Sequence, residues 1–249
     1  MALLWQKQTN NTNYRVVNAG ASVRLYRNNV LHSQWNPRHP VKGNLWELFL
    51  LTCLGNEKLQ RVLVLGVGGG AVINLIHRFF PDAEIDAVEL DKTHISIAKK
   101  YFHVNSAKCK LIHADALDWI KTCSVKSYDL IVDDVFHEAN QVPFRSIQMS
   151  ADRIKMLLNK INARGTVVIN FADQKEWKSC RESSQVQKVL HRNYQIGVAL
   201  NKRCENRIVH FSARPLSAGV IRKSHLAHKR HDYLRCWYEG KFSYRRIQE

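Results

Sequence analysis

From residue 60 to about residue 213 the chain alternates between short apolar runs and longer stretches with apolar positions three or four apart. Val62-Leu63-Val64-Leu65 is unbroken apolar, the pattern of a strand buried on both faces of a parallel sheet. A glycine turn follows, then a helix with Ile73, Leu75, Ile76 and Phe79 toward a core, stopped by Pro81-Asp82. The same reading predicts strands over 85–90, 110–113, 128–132 and 166–170 and helices over 93–101, 116–122 and 150–162, the last ended by Gly165. Repeated strand–helix units predict an α/β fold with a doubly wound, mostly parallel sheet.

The flanks differ. Residues 14–17, 23–26 and 30–35 read as short strands joined by Asn18-Ala19-Gly20 and Asn28-Asn29, a small β-hairpin or meander. After Pro37 and Pro40, the apolar run 45–51 is long enough for a buried helix. Periodicity weakens after Arg214, where Tyr233, Trp237, Tyr238, Phe242 and Tyr244 suggest docking, on the chain's own domain ahead of a partner. The expected organisation is therefore a β subdomain over 1–44, a ligand-binding domain over 45–213 and a basic tail over 214–249.

Composition narrows the class. With 249 residues, 45% apolar and 9% aromatic, the chain can build a packed core. No window approaches the ~18 apolar residues of a membrane span, and Met1-Ala2-Leu3-Leu4-Trp5 is too short for a signal-peptide core, so no membrane partner and a cytoplasmic location are expected. Six cysteines without a C-x-x-C pair read as reduced thiols, and His225, His228 and His231 read as a basic solvated segment, so no metal is expected. Charge is lopsided: 38 Lys+Arg against 21 Asp+Glu give a formal +17, and the first 44 residues contain no acid. Such a field attracts polyanions. An anionic acceptor, RNA included, stays open on that ground, although no RNP aromatic pair is present.

In open α/β sheets ligands sit beyond the carboxyl ends of the strands. After the first strand comes Gly66-Val67-Gly68-Gly69-Gly70-Ala71, which lets the backbone turn sharply and approach a ligand at a helix N-terminus. The second strand ends Val88-Glu89-Leu90-Asp91, and Glu89, 23 positions after Gly66, can accept from both hydroxyls of a ribose. The third ends His113-Ala114-Asp115-Ala116, where Asp115 can accept from the exocyclic amine of adenine. The fourth ends Asp133-Asp134, where one carboxylate can face a reacting group. The glycine turn alone also fits a dinucleotide fingerprint. Asp115-Ala116 has no place in that fingerprint and is what an adenosylmethionine site needs.

On these residues, with Tyr128-Asp129-Leu130-Ile131-Val132-Asp133-Asp134 and the later Gly165 and Asn170, the chain from residue 14 to about 175 resembles the spermidine synthase family and its methyltransferase-like relatives. The resemblance implies the class I methyltransferase variant of the Rossmann-like fold, with S-adenosylmethionine or its decarboxylated form as co-substrate. It implies Gly66, Gly68, Gly69, Gly70, Glu89, Asp115 and Ala116 around the donor, and Asp134 where aminopropyltransferases keep an amine-activating carboxylate. The departures matter as much. Aminopropyltransferases of the family carry an Asp inside the glycine loop to hold the donor's amine, where this chain has Gly69; their second Asp after the fourth strand is His137 here. Of their amine-binding cluster only Glu47 remains, with Lys42 reversing a charge.

The leading expectation is thus a methyltransferase of unknown acceptor with Asp134 as its catalytic residue, Asp134 rather than Asp133 facing the donor. A polyamine aminopropyltransferase is the alternative, requiring Glu138 or Asp173 to replace the lost carboxylates; a catalytically silent nucleoside-binding protein is a third reading, and a homodimer stays open. The acceptor side, bounded by residues 45–47, 137–140 and Asp173, is expected to lack a concentrated acidic pocket. Three or more carboxylates converging within a few ångströms of the donor crevice would replace methyl transfer with aminopropyl transfer as the expectation.

Overall fold

The computed structural model describes residues 1–9, 11–53, 59–124, 127–139, 142–145, 148–190, 194–215 and 217–247, with backbone alone at 137–139 and 142–144. Four strands, β1 (Ala2–Gln8), β2 (Asn13–Ala19), β3 (Ser22–Arg27) and β4 (Val30–Trp35), form an antiparallel meander in the order β1-β2-β3-β4. Asn28 and Asn29, at φ 47° and 70°, make the two-residue link between β3 and β4 in the left-handed region that Asn tolerates. Strand β1 is a surprise: almost all of it is exposed, so it carries no alternation to read. Trp5, stacked 6.2 Å from Tyr101, pins it to the body.

The run 45–51, read as a helix, forms a short 3₁₀ segment over Leu45–Leu50. Its N-cap, Asn44, makes no side-chain cap bond, while the buried Glu47 turns back to accept from the N–H groups of Lys42 (2.9 Å) and Gly43 (2.7 Å).

The large sheet follows. Its elements are β5 (Arg61–Leu65), α1 (Ala71–Phe79), β6 (Glu84–Glu89), α2 (Lys92–Tyr101), β7 (Cys109–His113), α3 (Ala116–Thr122) and β8 (Tyr128–Asp133). A small hairpin, β9 (His137–Ala139) and β10 (Val142–Phe144), precedes α4 (Ala151–Leu158), β11 (Ile161–Phe171), α5 (Gln174–Glu182) and α6 (Ser184–Leu190). The chain closes with β12 (Gln195–Asn201), β13 (Arg207–Ser212), α7 (Ala218–Ala227), α8 (His231–Tyr238) and β14 (Phe242–Ile247). Strand order is β14-β12-β13-β11-β8-β5-β6-β7. From β11 to β7 neighbours are parallel; β13, β12 and β14 add on antiparallel. Successive residues of β5 point to opposite faces, Val62 and Val64 into one core cluster, Leu63 and Leu65 into the other.

Two boundaries depart from the sequence reading. The helix ends at Leu158 instead of continuing to 162, and Gly165 lies inside β11, which pairs Ile161 with Tyr128 before a register shift that ends at Thr166. A Cβ at Gly165 would lie 2.7 Å from Ile161 Cβ and 2.8 Å from the Tyr128 carbonyl oxygen, so close backbone passage requires this glycine. From residue 214, where a tail was read, β14 becomes the outermost strand of the large sheet. Tyr233 is fully buried and donates to the Glu47 carbonyl at 3.0 Å, and His225 is buried with Nε2 2.9 Å from the Leu51 carbonyl oxygen. Among the described residues no helix is long and apolar enough to cross a membrane.

Candidate functional site

The chain moves outward from β5 to β6 and β7, then returns to lay β8 on the other side of β5. That reversal opens a crevice at the strands' carboxyl ends. A cavity of about 850 Å³ occupies it, closed on one side by Tyr14, Arg27, Leu31 and His32 of the small sheet. Gly66, Gly68, Glu89, Asp115, Ala116 and Asp134 all line it. Gly69 and Gly70 stand behind the lining: a Cβ on Gly69 would lie 2.6 Å from the Phe102 ring and 2.8 Å from Ser33 Cβ, and one on Gly70 2.5 Å from Val104. Gly66, at φ 83°, turns the chain where a side chain would collide with the backbone of Asp134.

Glu89 ends β6 and organises the loop before it meets any ligand. Its Oε2 accepts from the N–H groups of Val67 (2.9 Å) and Gly68 (3.0 Å), its Oε1 from Asp91 N–H (2.9 Å), and His94 Nδ1 lies 3.7 Å away. Burial pushes this carboxyl up, but His94 and the backbone N–H groups of Asp91 and Gly68 outweigh it and hold it at about 2. It is therefore a permanent acceptor, with Oε2 taken up by two N–H groups and acceptor capacity left on Oε1. Asp115 divides its work. Oδ1 caps α3, accepting from Leu117 N–H (2.8 Å) and Asp118 N–H (3.1 Å), and Oδ2 has no bonded partner among the described residues. Ala116 follows as the first residue of α3.

Asp133 and Asp134 point apart, as neighbours on an extended chain do. Asp133 is fully buried against Arg153, which grips it through Nε (3.0 Å) and Nη2 (2.7 and 2.8 Å), and against Arg145 at 3.2 Å. Asp134 lines the cavity and accepts from Asn170 Nδ2 at 2.7 Å. Burial raises its pKa to about 7, against the lowering effects of Asn170 and Arg145 and with further upward pressure from Asp133 and Glu89. A carboxyl poised near neutrality beside a nucleoside-sized cavity can take a proton from an attacking N–H or O–H group.

On the acceptor side, Leu45 and Trp46 line the cavity but Glu47 does not, being committed to the backbone around Gly43. Asp173 and Glu205 reach the lining with Asp134. Asp173 caps α5 through Glu176 N–H at 2.8 Å, and Glu205 is exposed. Three carboxylates thus line this end, more than the sequence reading expects, two of them already engaged: Asp134 by Asn170 and Asp173 by the N–H of Glu176. The side chains of His137 and Glu138, and Asn140 altogether, lie outside the described residues.

Several lining groups escaped the sequence reading. Tyr14 donates to Asp91 Oδ2 at 2.6 Å across 77 positions, and His94 packs 5.4 Å from His32. Burial lowers the His32 imidazole to about 3, so it is neutral. Asn206 donates to Asn170 Oδ1 at 2.9 Å. Asp91 and Asn170 already stood in the quoted motifs; nothing local to Tyr14, His32, His94 or Asn206 marks them.

The fold is that of the class I methyltransferases, shared with solved spermidine synthases. The chain belongs to the family of the spermine/spermidine synthase domain, whose profile matches residues 49–198, more than half of it. Among curated proteins it is 34% identical over 87 residues to a polyamine aminopropyltransferase of Vibrio vulnificus, a stretch covering 34% of this chain and 29% of that protein. It is 37% identical over 78 residues to the eEF1A lysine and N-terminal methyltransferase of Mus musculus, covering 30% of this chain and 11% of that protein. The match thus spans less than a third of either relative. Among solved structures, a probable spermidine synthase from Corynebacterium glutamicum superposes with a TM-score of 0.70 at 17% identity, over 91% of this chain and 87% of that one. Human methyltransferase-like protein 13 in complex with SAH gives 0.60 at 20% identity, over 76% and 91%. The structural likenesses show the fold, and the relatives are transferases of two chemistries.

Proposed function

We propose that the protein is an S-adenosylmethionine-dependent methyltransferase. The observation that carries this reading is the space behind Gly69. Aminopropyltransferases of this family place an Asp there for the amine of the decarboxylated donor, but here the Phe102 ring and Ser33 fill the volume a Cβ would enter. An Asp-free loop also spares the carboxylate of the intact donor a like-charge neighbour. Asp115 Oδ2 and the acceptor capacity left on Glu89 Oε1 suit adenine and a ribose hydroxyl, which leaves the sulfonium end toward Asp134. In transfer, an acceptor nitrogen or oxygen attacks the methyl carbon in line, the carbon–sulfur bond breaks with its electron pair going to sulfur, and the acceptor's proton passes to Asp134. The protein's contribution is alignment plus that proton acceptor. The basic surface favours an anionic acceptor, and the cytoplasm is the compartment we assign.

Aminopropyl transfer is the second reading, favoured by the three carboxylates, Asp134, Asp173 and Glu205, that line the acceptor end. The test uses both chemistries. Incubation with methyl-labelled donor and fractionated cell extract should label an acceptor in a manner lost in Asp134→Asn. Release of methylthioadenosine from decarboxylated donor and putrescine would overturn the methyl reading.

A further inference from the structure

Asp134 sits at the end of β8 and Asn170 near the end of β11, and their strands are adjacent and parallel. Arg145, itself buried, ties these ends together: it donates to the carbonyls of Val135 (3.3 Å) and Asn170, pairs with Asp133 (3.2 Å) and reaches Glu176 on α5 (3.0 Å). With both backbones fixed, the Asn170 side chain, only 3% exposed, bridges to Asp134 Oδ1. An amide has two chemically opposite ends, and the wrong end would set a carbonyl oxygen against a carboxylate. The ionised Asp134 carboxylate can only accept, which sets Asn170 Nδ2 toward it, and Asn206, from the loop before β13, supports that orientation by donating its Nδ2 to the Asn170 Oδ1 on the other side.

We propose that Asn170 is a positioning residue for Asp134, with Asn206 holding the Asn170 amide in the orientation that donates. The pair fixes which carboxylate oxygen is occupied and turns the other toward the cavity. This rests on Asp134 being the proton acceptor of the transfer. The groups facing that carboxyl are Glu89 from β6, Asp133 beside it, Arg145 after β10 and Asn170 from β11. Loss of the Asn170 bond removes a stabiliser of the ionised form while the others stay.

The experiment is a ¹³C NMR titration of protein labelled at aspartate carboxyls, with the Asp134 signal assigned through its disappearance in Asp134→Asn. Asn170→Ala should move the Asp134 midpoint upward by about one pH unit, a tenfold change in proton affinity. Asn206→Ala, in a turn where truncation leaves the core intact, should move it in the same direction by less. Donor affinity, measured by calorimetry, should stay within about twofold in both. An unmoved midpoint in either variant, or a fall in donor affinity larger than the fall in turnover, overturns the positioning role. The midpoint needs no acceptor: its movement in a protein that transfers no methyl group would sink the methyltransferase reading and leave this inference standing.

Discussion

Glu89 and Asp134 face the same cavity from strand ends on either side of β5, and the protein treats them in opposite ways. Glu89 is surrounded by backbone N–H groups and His94 and held at about 2; Asp134 has one amide partner, lies among other carboxylates and is raised to about 7. The difference is in solvation by the chain. The donor side is built from a loop whose N–H groups converge on a permanent anion, the acceptor side from side chains that leave a carboxyl close to its titration point. In the proposed transfer these two environments would separate a binding acid from a reacting acid without any difference in residue class.

The largest expected effect lies on the acceptor side. Asp134→Asn should lower turnover by ~10²–10⁴-fold, the usual contribution of a positioned proton acceptor, with donor affinity nearly unchanged, as steady-state rates beside calorimetry would reveal. Equal losses in both would erase the distinction between the two sides. On the donor side, Asp115→Asn keeps a cap for α3 but forfeits an oxygen for the adenine amine, and Glu89→Gln sets an NH₂ group against the loop N–H groups. Each should weaken donor binding by ~1.5–3 kcal/mol by calorimetry while the protein remains folded by circular dichroism.

Gly69→Asp probes the boundary between the two chemistries. Its Cβ would lie 2.6 Å from the Phe102 ring, so denaturant unfolding should show a loss of ~1–3 kcal/mol and no gain of aminopropyl transfer. A stable Gly69→Asp protein that binds decarboxylated donor would mean that the loop accommodates the family's Asp after all.

The smallest effect is on stability against pH, with opposite signs on the two sides. Asp134, raised from an ordinary value of 3.8 to about 7, binds its proton more tightly folded than unfolded, so its contribution turns unfavourable as pH climbs through that window. Glu89, lowered from 4.5 to about 2, contributes stability above pH 4.5 that is lost as pH falls toward 2. Asp134→Asn should therefore gain on the order of 1 kcal/mol relative to wild type between pH 5 and 8, allowing for water in the cavity. A gain that is the same at both pH values would place the carboxyl's titration elsewhere.

The two sides were also unequally legible in the sequence. The strands of the parallel sheet announce themselves as apolar runs, and the three acids stand at or within two residues of strand ends, so local pattern plus the strand-end rule points to Glu89, Asp115 and Asp134. The second layer is invisible to that logic. Tyr14 reaches Asp91, Asn206 reaches Asn170, and Glu47 turns its carboxylate inward, all through contacts that depend on how distant elements pack. Strand β1 has no counterpart in the sequence reading because exposure removes its alternation, and the 3₁₀ segment reads as a helix because a short apolar run carries no period that tells the two apart.

The central claim is that this cavity is built for the intact methyl donor, and titration calorimetry with S-adenosylmethionine, its decarboxylated form and S-adenosylhomocysteine tests it most directly. The account predicts comparable binding of the first and third, both at least about tenfold (~1.4 kcal/mol) tighter than the decarboxylated form. Tighter binding of the decarboxylated form, strengthened further by putrescine, would contradict it.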